Sequence, residues 1–85
     1  MAIKLLFLAG LRESLGTSGE SLELPPGVTT VAALRAHLAA RGGKWAEQFA
    51  PTRNVRAAVI QLMVPPHAPV KDGDEVAFFP PVTGG

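Results

Sequence analysis

The sequence has no cysteine among its 85 residues, which excludes disulfides, iron–sulfur ligation and a thiol nucleophile from any account of its function. It also lacks a charge imbalance. Eight Lys or Arg face seven Asp or Glu, and Arg12, Arg35, Arg41, Arg53 and Arg56 are scattered instead of clustered, so the electrostatic footprint of a nucleic-acid binder is missing. Long apolar runs are absent as well. The run after Lys4 is five residues, "LLFLA", shorter than the apolar core of a signal peptide and far below the roughly 20 residues of a membrane span. The expectation is a cytoplasmic protein with neither a nucleic-acid nor a membrane partner. The two histidines, His37 and His67, are isolated, and a metal site needs several convergent ligands. Asp72, Asp74 and Glu75 lack the spacing and the later Glu of a calcium loop, so that segment reads as a turn.

What is present is a globular composition, 47% apolar and 18% charged, at a length that supports one domain with one core. "IKLLFLA", residues 3–9, has the length and content of a mostly buried strand. Ile3, Leu5 and Phe7 form its core face, while Lys4 turns the other face, with Leu6 and Leu8, toward the surface. "LGTSGE" supplies turn chemistry, and residues 20–24 alternate polar with apolar, predicting an antiparallel hairpin with a loose loop. A helix is predicted from Thr29 or Thr30 as N-cap to Gly42 and Gly43, with Val31, Leu34 and Leu38 on one stripe. "KWAEQFA" adds a helical turn that brings Trp45 and Phe49 over the edge of the core. "VRAAVIQLMV" reads as a strand broken by "PPHAP", and "EVAFFP" as the last strand, entered through Asp72-Gly73.

Strand, strand, helix, strand, strand describes an α+β domain over residues 1–81, a mixed sheet of four to five strands with one main helix packed on one face. The opposite face is left uncovered. Leu8, Met63 and Phe79 meet there as an apolar patch of the kind that marks a protein interface.

Residues 82–85 follow as a reactive tail. Pro80 and Pro81 cannot donate backbone hydrogen bonds and favour an extended conformation, so they end the sheet and direct the chain outward. From Pro80 to Gly85 the reach is about 20 Å. Thr83 and Gly84 would thread a narrow channel, and Gly85 would bring its carboxylate to a buried reaction centre. With no internal catalytic constellation, the chemistry concentrates on that carboxylate, which becomes reactive once a partner adenylates it with ATP.

The strand "IKLLFLAGLRE", the helix "TVAALRAHLAARG", the strand "AAVIQ" and above all "DGDEVAFFPPVTGG" closely resemble the small, sulfur-carrying subunit of molybdopterin synthase, a ubiquitin-like β-grasp protein. The resemblance covers nearly the whole chain. It implies that an E1-like adenylyltransferase activates Gly85 and that a sulfur donor, such as a cysteine desulfurase or rhodanese, converts it to a thiocarboxylate. It further implies that the tail enters the large catalytic subunit, in a heterotetramer of two small and two large subunits, and gives its sulfur to cyclic pyranopterin monophosphate. No cofactor would be bound permanently, since the activating partner uses the ATP. Leu8, Met63 and Phe79 match the family's apolar interface, and Arg12 is a candidate for an ion pair with a partner. One departure is Ile60, where the family commonly has Asn. Sulfur carriers for thiamine or transfer RNA thiolation, a ubiquitin-like protein modifier, and a plain interaction module with an incidental tail are the competing readings.

Overall fold

Eight elements follow one another along residues 2–80, the part of the chain described by the computed structural model. They are β1 (Ile3–Phe7), α1 (Gly10–Leu15), β2 (Gly19–Leu22), α2 (Val31–Ala39), α3 (Gly43–Gln48), β3 (Arg56–Val59), β4 (Leu62–Val64) and β5 (Glu75–Phe79). The strands form one sheet in the order β2-β1-β5-β3-β4. Its central pair, β1 and β5, is parallel, and every other pair is antiparallel. Pairing a first strand with the last in parallel requires the intervening chain to cross over, and α2 makes that crossing on one face of the sheet.

Alternation along the strands decides which face α2 covers. Ile3, Leu5 and Phe7 of β1 and Val76 and Phe78 of β5 are buried, and they pack with Leu34 and Leu38 of α2. Each large side chain buried this way contributes about 1.5–3 kcal/mol. The Thr30 hydroxyl caps α2 by accepting the backbone N–H of Ala33 at 3.1 Å. Beyond Ala40, Gly42 and Gly43 take left-handed φ values of 79° and 55°, a conformation open to glycine at little cost, and this redirects the chain into α3.

The predicted hairpin of β1 and β2 is present, with Ile3 opposite Leu22 and Leu6 opposite Gly19. Its connection is not the loose loop expected from "LGTSGE". Gly10–Leu15 forms a helix that buries Leu11 and Leu15 one turn apart, a spacing that places both on the same side of a helix. α3 matches the expected extra turn but reaches deeper than the core's edge. Phe49 is 2% exposed, sits edge-on to Phe7 and Phe78, and stacks on Trp45 with ring planes 9° apart.

The run "VRAAVIQLMV", expected as one strand, is two. Val59 pairs with Leu62, so Ile60 and Gln61 form a two-residue hairpin loop, with φ of 48° and 67°. Both positive values fit a type I′ turn, the type whose twist matches that of the flanking strands. The Ile60 N–H donates to the Glu75 carbonyl at 2.8 Å, fixing the turn to the head of β5. The turn at residues 71–74 is as predicted, with the Asp74 N–H donating to the Lys71 carbonyl at 3.1 Å and Gly73 at φ 91°. The Asp74 carboxylate, the one buried charged side chain among the described residues, accepts the Lys71 N–H at 3.0 Å, a closed local bond of the sort acidic residues make in turns.

Candidate functional site

The strand register assembles a band of small and apolar side chains across the face that α2 does not cover. Leu6 lies opposite Ala77, Ala77 opposite Ala58, and Ala58 opposite Met63. Since partners across a sheet share a face, these four residues run from β1 to β4 in one row. Leu8 and Phe79 lie beside that row, with the Leu8 N–H donating to the Phe78 carbonyl at 3.0 Å. Leu8 is 41% exposed and Met63 64% exposed, while Phe79 is half-buried. Lys4 and Glu75, paired in register, close the band at one end, and Arg56, paired with Phe79, stands at the other.

Leu8, Met63 and Phe79, the three residues picked out by strand patterning, therefore share one face. Sequence reading missed Ala58, because treating residues 55–64 as one strand gave no partner that would fix its side. Its small side chain, between Ala77 and Met63, keeps the middle of the band flat. Arg12 lies on α1 and is exposed. Among the described residues no carboxylate forms a salt bridge with it.

Phe79 is the last residue of β5, and Pro80 follows directly. The Pro80 ring comes within 4.0 Å of the position a Cβ on Gly10 would occupy, so the root of the tail rests against the start of α1, two residues from Arg12. Thr83, Gly84 and Gly85 lie outside the described residues.

Two other polar contacts hold the scaffold under this face. Arg41 grips Glu20 with two parallel bonds of 2.7 Å and lies 4.5 Å from the centre of the Trp45 ring. The Arg41 hydrogen bonds hold the Glu20 carboxyl below its ordinary range, and burial opposes that effect. The Arg35 guanidinium donates to the carbonyls of Phe49, Ala50 and Arg53 at 3.2, 2.5 and 2.6 Å, tying the end of α3 to α2. Among the described residues there is no cluster of three or more His, Asp or Glu placed to hold a metal, and no helix long and apolar enough to cross a membrane.

A five-stranded mixed sheet in this order, with a crossover helix on one face and an apolar band on the other, defines a ubiquitin-like β-grasp domain. The chain belongs to the ThiS family, whose model matches residues 5–85. It is 48% identical over 83 residues to the molybdopterin synthase sulfur carrier subunit of Escherichia coli (strain K12), an alignment covering 98% of this chain and 99% of that protein. Among solved structures it is similar to a putative molybdopterin converting factor, subunit 1, from Pyrococcus furiosus, with a TM-score of 0.76, 31% identity and coverage of 96% and 99%. It also shares its fold with a chain of the complex of subunits 1 and 2 of the molybdopterin-converting factor from Helicobacter pylori 26695, with a TM-score of 0.67, 21% identity and full coverage of both chains.

Proposed function

We propose that this protein is the sulfur carrier of molybdopterin synthesis and that Gly85 is its reactive residue. The observation that most supports the reading is the position of the apolar band. It ends at Phe79, immediately before the tail begins, so a partner that docks on the band is also placed to receive the tail. The relatives named as sulfur carrier subunits add the chemistry.

In the first step a Gly85 carboxylate oxygen attacks the α-phosphorus of ATP on an E1-like adenylyltransferase, and pyrophosphate leaves. The outer sulfur of a persulfide on a cysteine desulfurase or rhodanese then attacks the acyl carbon, and AMP leaves. A thiol reductant cleaves the resulting acyl disulfide, releasing the thiocarboxylate and leaving the donor in a disulfide. The net change is one oxygen replaced by one sulfur. The tail next enters the large catalytic subunit, with Thr83 and Gly84 in the channel, and the sulfur passes to cyclic pyranopterin monophosphate while water restores the carboxylate. A dithiolene contains two sulfurs, so two charged carriers are used for each product, consistent with a heterotetramer of two small and two large subunits. Leu8, Met63 and Phe79 would form the apolar contact, and Arg12, beside the root of the tail, would pair with a partner carboxylate. The chain holds no cofactor in this scheme, and a cytoplasmic setting follows from the demand for ATP.

The test is single-turnover conversion. Thiocarboxylated full-length chain, mixed with the large subunit and cyclic pyranopterin monophosphate, is expected to yield one molybdopterin per two carriers consumed. A charged carrier that binds the large subunit yet never loses its sulfur to that substrate would contradict the proposal.

A further inference from the structure

A second surface, on the helix side of the sheet, is independent of the carrier reading. Between α2 and the β3–β4 edge lies a groove of about 700 Å³. Its walls include Val31, Ala32 and Ala36 from α2 and Val64 and Pro65 from the strand side, with Phe49 and Phe78 also lining it. β4 is the terminal strand of the sheet, and among the described residues no backbone group outside the sheet bonds to Leu62, Met63 or Val64. An unpaired strand edge is a template for one more strand. Of the usual protections β4 has only brevity, at three residues. It carries no charge and no internal proline, and Leu62 and Met63 are 71% and 64% exposed.

The charges at the groove are all of one sign. Arg35, Arg53 and Arg56 line it, and no Asp or Glu does. Arg35 is committed to backbone carbonyls, which leaves its positive charge without a counter-ion. Arg53 has only the loose 3.6 Å contact with Glu47, in which both side chains are more than half exposed, and an exposed pair of this kind is easily exchanged for another. Arg56 has no salt bridge among the described residues.

We propose that this groove binds an extended segment of a partner protein in which apolar and acidic side chains alternate, and that the segment adds to the free edge of β4 as a sixth strand. Main-chain hydrogen bonds to Leu62–Val64 would supply the pairing, alternate apolar side chains would enter the groove, and the acidic ones would face Arg53 and Arg56. This is strand addition, in which backbone bonds give affinity and pockets for alternate side chains give selectivity. The groove opens on the helix side of the sheet, across from Leu8 and Phe79, but Met63 and Arg56 at its rim belong to the apolar-band face, so a strand bound at β4 and a partner on the band would meet at Met63.

The probe is a blocked heptapeptide of alternating aspartate and valine, titrated into the ¹⁵N-labelled full chain. Saturable shifts are expected at the amides of Leu62, Met63 and Val64 and at Ala32 and Ala36, with slowed amide exchange in β4. Arg53→Glu, an exposed change that leaves the core intact, is expected to weaken binding about tenfold or more, since it turns an attraction into a repulsion. N-methylation of alternate peptide amides should abolish binding by blocking the edge bonds. A lysine–valine peptide that binds equally well, shifts centred on Leu8 and Phe79, or no saturable shift at millimolar peptide would each overturn the proposal.

Discussion

Ile60 occupies a backbone conformation that its side chain disfavours, and the side chain gains no burial in return. It is β-branched, has φ 48° and remains 61% exposed, so the left-handed strain, typically about 1–2 kcal/mol, is not offset by burial. Ile60→Asn should therefore stabilise the protein by about 0.5–1 kcal/mol, because Asn tolerates this region. A urea midpoint that rises at unchanged slope is the expected result, and a lower midpoint would mean that Ile60 makes contacts the exposure does not reveal. The family resemblance marked position 60 as a departure from Asn, but the sequence did not show why Asn suits it. Without Gly, Asn, Asp or Pro at residues 60 and 61, the turn left no local signature. A second residue-scale prediction concerns Glu20. Its pKa is lowered in the folded state by Arg41, so the stabilisation it contributes is present above the ordinary value of 4.5 and is lost as pH falls through the lower folded value. The amount is about 0.5–1 kcal/mol for a pair this close to solvent. Arg41's own pKa is raised by the same bond and lies too high to add pH dependence in that window. Arg41→Met should flatten the acid limb of the stability curve below about pH 4.5, and an unchanged limb would show that the pair contributes nothing.

At the scale of elements, period-2 patterning located β1 and β5, and capping and stripe signals located α2, because each carries its signal within a few residues. α1 was missed. Its two buried residues, Leu11 and Leu15, are the whole of its apolar stripe, and the nearby Gly16 and Gly19 masked it with turn chemistry. The division of residues 55–64 into β3 and β4 was missed for the reason given for Ile60, and with it the place of Ala58 in the apolar band. Leu8 and Phe79 could nevertheless be placed on that face by parity along β1 and β5, whereas the side of Met63 is fixed only by the pairing of β4 with β3. Phe79→Glu tests whether that face docks a partner. A carboxylate at a desolvated interface centre is buried without a counter-charge, which costs several kcal/mol, whereas the half-buried position in the free chain leaves it access to water. Binding to the large subunit should fall at least about a hundredfold, while the thermal midpoint moves little. Unchanged affinity would remove Phe79 from the interface, and loss of folding would assign it to the core.

Under the proposed function the whole molecule divides into a folded body that would recognise the partner and a terminal carboxylate that would react. The sequence supplied the tail through its prolines and glycines, and the fold puts the root of that tail at the end of the apolar band. Deleting Gly85 should leave the thermal midpoint unchanged, since the buried core is drawn from residues between Ile3 and Phe78. It should abolish function, because the reacting group is displaced by a whole residue and even an angstrom can cost about a hundredfold in rate. The most direct measurement is the intact mass of wild-type and Gly85-deleted chains after incubation with the adenylyltransferase, ATP and a sulfur donor. Wild type alone is predicted to exchange one oxygen for one sulfur, with the change mapping to Gly85 in a C-terminal fragment. Equal sulfur uptake by the deleted chain, or sulfur found anywhere but at Gly85, would contradict the account.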